Sequence, residues 1–201
     1  MRRSSSKGHG AADKSVFLRN IDVMQMKRFI TFILAAQIAV TAFAQDKKVY
    51  ENGYIVKPGD NAPDFIVREA GGKTYRLSDL HGKVVMLQFT ASWCSVCRKE
   101  MPFIESEIWL PGKDKGLVVI GIDRDEPEKT VLKFKDDMKI SYPLALDPGA
   151  DIFGLYALKE SGVTRNIIID RKGKIIFLTR LFEREEFDRM KEIIFSELAK
   201  Q

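Results

Sequence analysis

The sequence has only two cysteines and two histidines in 201 residues. So few thiols exclude the disulfide-dense scaffold of small secreted domains. Charge of one sign is scarce where it would matter. Of the 33 basic residues seven lie in residues 1–44, and of the 28 acidic residues two do, leaving 26 of each sign in residues 45–201. The whole-chain charge of +5 therefore gives no reason to expect nucleic acid or an anionic membrane as a partner. No internal repeat or low-complexity tract is present.

Long apolar runs are scarce too. The one that stands out, Met26–Ala44, opens on Lys27-Arg28 and closes on the small-x-small Ala42-Phe43-Ala44. This pattern predicts a secretory signal peptide cleaved after Ala44. A membrane span needs roughly 20 apolar residues, so an uncleaved anchor is the alternative. No cysteine follows the run, which excludes a lipid-modified N-terminus. Residues 1–25 are polar and aperiodic, and read as an extension ahead of an expected start at Met24 or Met26. An exported, periplasmic protein follows, with residues 45–58 as N-terminal linker and first strand. Residues 59–201 suit one domain with a full core.

The rest of the chain alternates strand and helix patterns. Tyr54–Val56 is a short β-like piece, and a hairpin turns over Gly71-Gly72 with Thr74–Leu77 returning. Val84–Thr90 and Leu117–Asp123 are nearly all apolar, as strands buried on both faces are. Between them Val96, Met101, Ile104 and Ile108 recur at helical spacing from Cys94 to Trp109, with Pro102 expected to bend that helix. Glu128–Lys139 is a second helix, Leu144–Leu146 a short apolar piece, and Asp151–Leu158 a short helix. Asn166–Ile169 and Lys174–Thr179 form an antiparallel hairpin around Asp170–Gly173. Phe187, Met190, Ile193, Ile194 and Leu198 mark an amphipathic final helix. This order predicts an α/β fold with parallel strands joined by crossover helices and an antiparallel pair at the end.

Both cysteines fall in Thr90-Ala91-Ser92-Trp93-Cys94-Ser95-Val96-Cys97-Arg98-Lys99-Glu100-Met101-Pro102. A disulfide closing so short a loop removes little entropy from the unfolded chain, so stapling the fold is a poor reason for it. A cysteine at a helix start, by contrast, sits where unpaired N–H groups and the helix dipole stabilise a thiolate. Cys94 is thus placed as nucleophile, and Cys97, three residues on, as the buried thiol that resolves a mixed disulfide. Arg98 and Lys99 add positive charge one turn away. Trp93 is expected as a partly exposed ring shaping a substrate surface.

That stretch resembles the Trp-Cys-x-x-Cys site of the thioredoxin superfamily, with Pro102 matching the proline five residues after the second cysteine. Gly59–Phe65, Leu77–Lys83, Tyr142-Pro143-Leu144 and Ile169–Lys174 resemble its exported TlpA/ResA-like branch. The resemblance implies a thioredoxin-like fold with a central mixed sheet flanked by helices and an N-terminal β-hairpin extension. It implies dithiol–disulfide exchange on exported proteins, with electrons from a membrane protein, by a monomer with no cofactor or metal. It also sharpens three departures. Gln88 stands where thioredoxin has a buried aspartate, so Asp123, Asp125 and Glu126 become candidate proton acceptors for Cys97, with Asp125 or Glu126 favoured by family spacing. Ser95-Val96 replaces Gly-Pro and leaves the potential open. Thr164 stands where relatives carry a cis-proline, so a trans Val163–Thr164 bond is expected. Val163 and Thr164 should still lie beside the pair as substrate-binding residues, with the Thr164 hydroxyl in reach of a thiolate.

Two other functions compete. A peroxiredoxin shares the Ala62-Pro63-Asp64-Phe65 entry, but its motif wants a proline and a Thr or Ser where Leu87 and Ala91 stand. A copper carrier of the same fold would need a histidine to complete a Cys/Cys/His set, and His81 is the one available after Ala44.

Overall fold

The computed structural model describes residues 48–200; the start-extension and signal-peptide expectations lie outside them. A five-stranded sheet at its centre has the order β5-β4-β3-β6-β7. Strand β3, Val84–Thr90, is its middle strand, and all seven of its residues are buried, which explains the unbroken apolar run. It pairs in parallel with β4, Leu117–Arg124, and antiparallel with β6, Arg165–Ile169. Strand β5, Leu144–Asp147, extends the parallel side and β7, Ile175–Arg180, the antiparallel side. Strands β1, Ile66–Arg68, and β2, Thr74–Arg76, form the expected separate hairpin.

Helix α1 starts at Ser95 and runs as regular α-helix to Phe103. Pro102 lies inside it, and the turn that follows, Ile104–Trp109, widens into π-helix. Proline lacks the N–H that would close the regular ladder, so register loosens there. The helix then continues through Leu110–Gly112, past the predicted end at Trp109. Helix α2 spans Glu128–Met138, α3 is the short Phe153–Tyr156, and α4 spans Arg184–Ala199.

Strand alternation divides the core into two faces. Val85, Leu87, Phe89, Ile120, Ile122 and Ile167 face a cluster closed by Tyr54, Phe65, Phe153 and Tyr156. Val84, Met86, Val119 and Ile168 face the three long helices through Met101, Ile104, Val131, Phe134, Phe187 and Met190. One expectation is corrected here. Tyr54–Val56 is not a strand; Tyr54 makes a single bridge to Ala157, and its hydroxyl donates to the Thr179 carbonyl at 2.5 Å.

Candidate active site

Strand β3 delivers the redox pair to the end of the sheet. Four residues after Thr90, Cys94 occupies the N-cap of α1, and its Sγ accepts the Cys97 N–H at 3.1 Å. The sulfur thereby satisfies one of the donors that a helix start leaves unpaired. The two cysteines are joined as a disulfide with Cα atoms 5.3 Å apart. Cys94 keeps 6% of its surface and Cys97 none, so Cys94 is the more accessible but far less open than its loop position suggests.

Thr164 comes over the pair. Its Oγ1 lies 3.3 Å from Cys94 Sγ and 3.4 Å from Cys97 Sγ. Disulfide sulfurs carry no hydrogen, so the hydroxyl is the donor. Peptide bonds among the described residues are all trans, Val163–Thr164 included. Val163 and Thr164 are both buried. Behind the pair, the Phe89 carbonyl oxygen is 3.9 Å from Cys97 Sγ and becomes an acceptor for its thiol after reduction. Trp93, next to Cys94, is 64% exposed. Arg98 turns back to donate to the Ser92 carbonyl at 3.0 Å, so its charge rests on the loop that carries Cys94.

The sequence profile of the AhpC/TSA family, a thioredoxin-like family, matches residues 58–178. The chain belongs to that family. It is 37% identical to the thiol-disulfide oxidoreductase ResA of Bacillus cereus over 118 residues, which is 59% of this chain and 66% of that protein. The match thus spans just under two thirds of that relative's length. A Bacteroides thetaiotaomicron solution structure, provisionally described as a protein disulfide isomerase, is 58% identical with a TM-score of 0.72. That comparison covers 74% of this chain and 94% of the other. A Chlorobium tepidum crystal structure, provisionally described as the thiol:disulfide interchange protein DsbE, is 29% identical with a TM-score of 0.62, covering 72% and 99%. The chain is a TlpA/ResA-like member of the thioredoxin superfamily.

The three acids expected near the pair diverge in this AhpC/TSA-family chain. The Glu126 carboxylate accepts the Ser92 N–H at 2.5 Å and the Ser92 hydroxyl at 2.6 Å, pinning the loop ahead of Cys94. Asp125, at φ 63, is exposed and accepts the Gly149 N–H at 2.8 Å, so its carboxylate is engaged at the turn after β5. Asp123 is fully buried opposite Thr90, and neither of its oxygens has a partner among the described residues. Burial, reinforced by the nearby Glu126 charge, pushes its pKa up to about 8.

Sequence reasoning missed Glu100. It is 1% exposed and its Oε1 accepts the Asn166 Nδ2 at 2.6 Å. Burial raises its pKa to about 7, against the pull of the Asn166 and Gln88 amides. The signal was present: Glu100 falls on the buried stripe of Cys97, Met101, Ile104 and Ile108, where a charge has no bland reason to be. Beneath it runs a polar row across three strands, Thr179, Asn166 and Gln88, each directly opposite the next, with Gly121 of β4 opposite Gln88. A Cβ on Gly121 would collide with Leu144 and only touch Tyr142. The glycine leaves that space, and the Tyr142 hydroxyl donates to Gln88 Oε1 at 2.8 Å.

His81 is not brought to the cysteines. It lies beside Gly173, before the start of β3, and borders a cavity of about 320 Å³ that contains none of the redox residues. Among the described residues a Cys/Cys/His set is therefore not assembled.

Proposed function

We propose that the chain is an exported reductase of disulfides in exported proteins, acting as a monomer and recharged by a membrane electron donor. The observation that carries the reading is a Cys94–Cys97 disulfide at a helix start, with Cys94 keeping a small exposed fraction and Cys97 none. In the reduced protein the Cys94 thiolate attacks one sulfur of the substrate disulfide. The substrate's other sulfur leaves as thiolate and takes up a proton. Cys97 then loses its proton and attacks Cys94 Sγ, re-forming the enzyme disulfide and releasing the second substrate thiolate. Two electrons pass from enzyme to substrate, and the bond count is unchanged.

The Cys97 proton needs an acceptor in hydrogen-bond reach, directly or through one water. Buried Glu100 and Asp123 supply carboxyl groups with raised pKa values, whereas Asp125 and Glu126 are committed elsewhere. The support for export is the Met26–Ala44 pattern. Trp93 and the backbone of Val163 are the surfaces assigned to substrate.

The test uses residues 45–201. The reduced protein should reduce a peptide disulfide, Cys97→Ser should trap a mixed disulfide through Cys94, and Cys94→Ser should trap none. A reduction potential near −270 mV supports a reductase, and one near −120 mV overturns it in favour of an oxidase. Peroxide consumption faster than by a free thiol would revive the peroxidase reading.

A further inference from the structure

The loop that carries Thr164 has no proline to stiffen it, and contains Gly162. Its carbonyl groups are instead held by three guanidinium groups from three different strands. Arg124, the last residue of β4, donates to the carbonyls of Lys159 and Ser161, the latter at 3.1 Å. Arg165, the first residue of β6, donates through Nε to the Gly162 carbonyl at 3.1 Å and through Nη2 to the Asn52 carbonyl at 2.6 Å. Arg180, the last residue of β7, donates to the Thr164 carbonyl at 3.3 Å. The Leu181 N–H reaches that same oxygen at 3.3 Å, from a left-handed conformation with φ 69 that a leucine rarely adopts.

Such a grouping opposes itself. Arg165 and Arg180 are direct cross-strand partners, and like charges placed so repel. Arg165 is fully buried, with the Tyr54 ring 4.4 Å and the Phe153 ring 5.6 Å from its guanidinium carbon, and Arg124 shares Phe153 at 4.6 Å. Burial, together with the neighbouring Arg180 and Arg124 charges, lowers the Arg165 pKa. One fully buried and two half-buried cations are a costly way to close a loop. What they have in common is the backbone of residues 159–164, which ends at the hydroxyl touching both sulfurs.

We propose that Arg124, Arg165 and Arg180 are positioning residues that hold the Thr164 hydroxyl against the redox sulfurs and so set the reactivity of Cys94. The proposal deepens the thiol-disulfide reading and rests on it. Arg180 acts most directly, since it holds the Thr164 carbonyl itself. Its guanidinium also occupies the space where a Gly162 side chain would stand, because a Cβ there would collide with it.

The experiment is a double-mutant cycle read on Cys94 alone. The reduced protein is alkylated with iodoacetamide across pH 5–9, and its equilibrium with glutathione gives the potential. Thr164→Val removes the hydroxyl. Arg180→Gln should change the Cys94 alkylation rate at pH 7 in the same direction as Thr164→Val, by roughly three- to tenfold, and should add nothing in the Thr164→Val background. Arg180→Lys should fall between Arg180→Gln and the unaltered protein. Gly162→Ala should reproduce the Arg180→Gln profile with Arg180 still present.

Arg180 is half-buried, and circular dichroism checks that its variants fold. If Arg180→Gln does not, the Gly162→Ala and Arg124→Gln arms decide by the same cycle. Equal effects of the arginine change with and without the Thr164 hydroxyl would overturn the proposal, as would an unchanged rate in folded variants. Failure to reduce a peptide disulfide would instead defeat the reductase reading, since the alkylation cycle needs no substrate.

Discussion

The two faces of the central sheet are built on different terms. The face toward Tyr54, Phe65, Phe153 and Tyr156 is filled by aliphatic and aromatic side chains in continuous contact, with Arg165 as its fully buried charge. The face toward the long helices carries the row of Thr179, Asn166 and Gln88, with Thr90 and Asp123 beyond it and Glu100 above it. Several of these polar atoms, among them Gln88 Nε2, Glu100 Oε2 and Asn166 Oδ1, have no partner among the described residues. An unpartnered buried polar group costs about 1–3 kcal/mol, and among the described residues five of the six such atoms lie on the second face, Arg165 Nη1 on the first being the sixth. It is the second face that lies beneath the helix begun by Cys94. The molecule thus sets an aliphatic and aromatic layer, into which Cys94 and Cys97 themselves pack, against a polar layer on the other side of the sheet.

The sharpest test of that separation is at the cysteines. Cys94→Ser should abolish disulfide exchange while leaving the Tm of the reduced protein within a few degrees, because the hydroxyl can still cap the helix. Next in size is an apolar-face change. Ile120→Ala should cost about 2–5 kcal/mol in chemical denaturation and leave the reduction potential unmoved. A large shift in potential would break the division between faces.

The polar face should respond to pH instead. Asp123 has a folded pKa of about 8 against an ordinary value of 3.8, so the fold binds a proton that the unfolded chain has already released. Stability from that proton is complete below pH 4 and declines as pH rises toward 8. Asp123→Asn cannot lose that proton, so Tm measured from pH 4 to 8 should flatten. Glu100 follows the same sign between its ordinary 4.5 and about 7. Glu100→Gln should remove an inflection near pH 7 from the rate of mixed-disulfide resolution while the Cys94 attack rate keeps its own profile. The smallest effect is expected at Trp93, whose exposed ring belongs to neither face. Trp93→Ala should raise KM for a peptide disulfide several-fold with kcat nearly unchanged, a loss of about 1 kcal/mol.

Much of this architecture was legible because burial on both sides of a strand leaves an unmistakable run. Val84–Thr90 and Leu117–Asp123 were read nearly to their ends, and the helix between them from spacing alone. The position of Thr164 was legible for a related reason, since the strand that follows it fixes where the loop must lie. Other features were not. The widened turn at Ile104–Trp109 depends on how a proline-interrupted ladder packs, which no periodicity encodes. Asp125 and Glu126 are adjacent in sequence yet turn to different partners, Gly149 and Ser92, because Asp125 takes a left-handed conformation. Glu100 was overlooked because a charged residue on a helix is normally solvated, and only packing shows this one to be sealed.

The capping bond from the Cys97 N–H to Cys94 Sγ joins folding to electron transfer in one thermodynamic box. Reduction turns the cap from a neutral disulfide sulfur into a thiolate, and the helix dipole favours the anion. Any extra unfolding free energy of the reduced form over the oxidised form must reappear as a higher reduction potential than that of the same cysteine pair in the unfolded chain. For a two-electron couple 1.4 kcal/mol corresponds to about 30 mV. Two denaturation curves, one in each redox state, therefore serve as a potentiometer for the folded protein and need neither its substrate nor its electron donor.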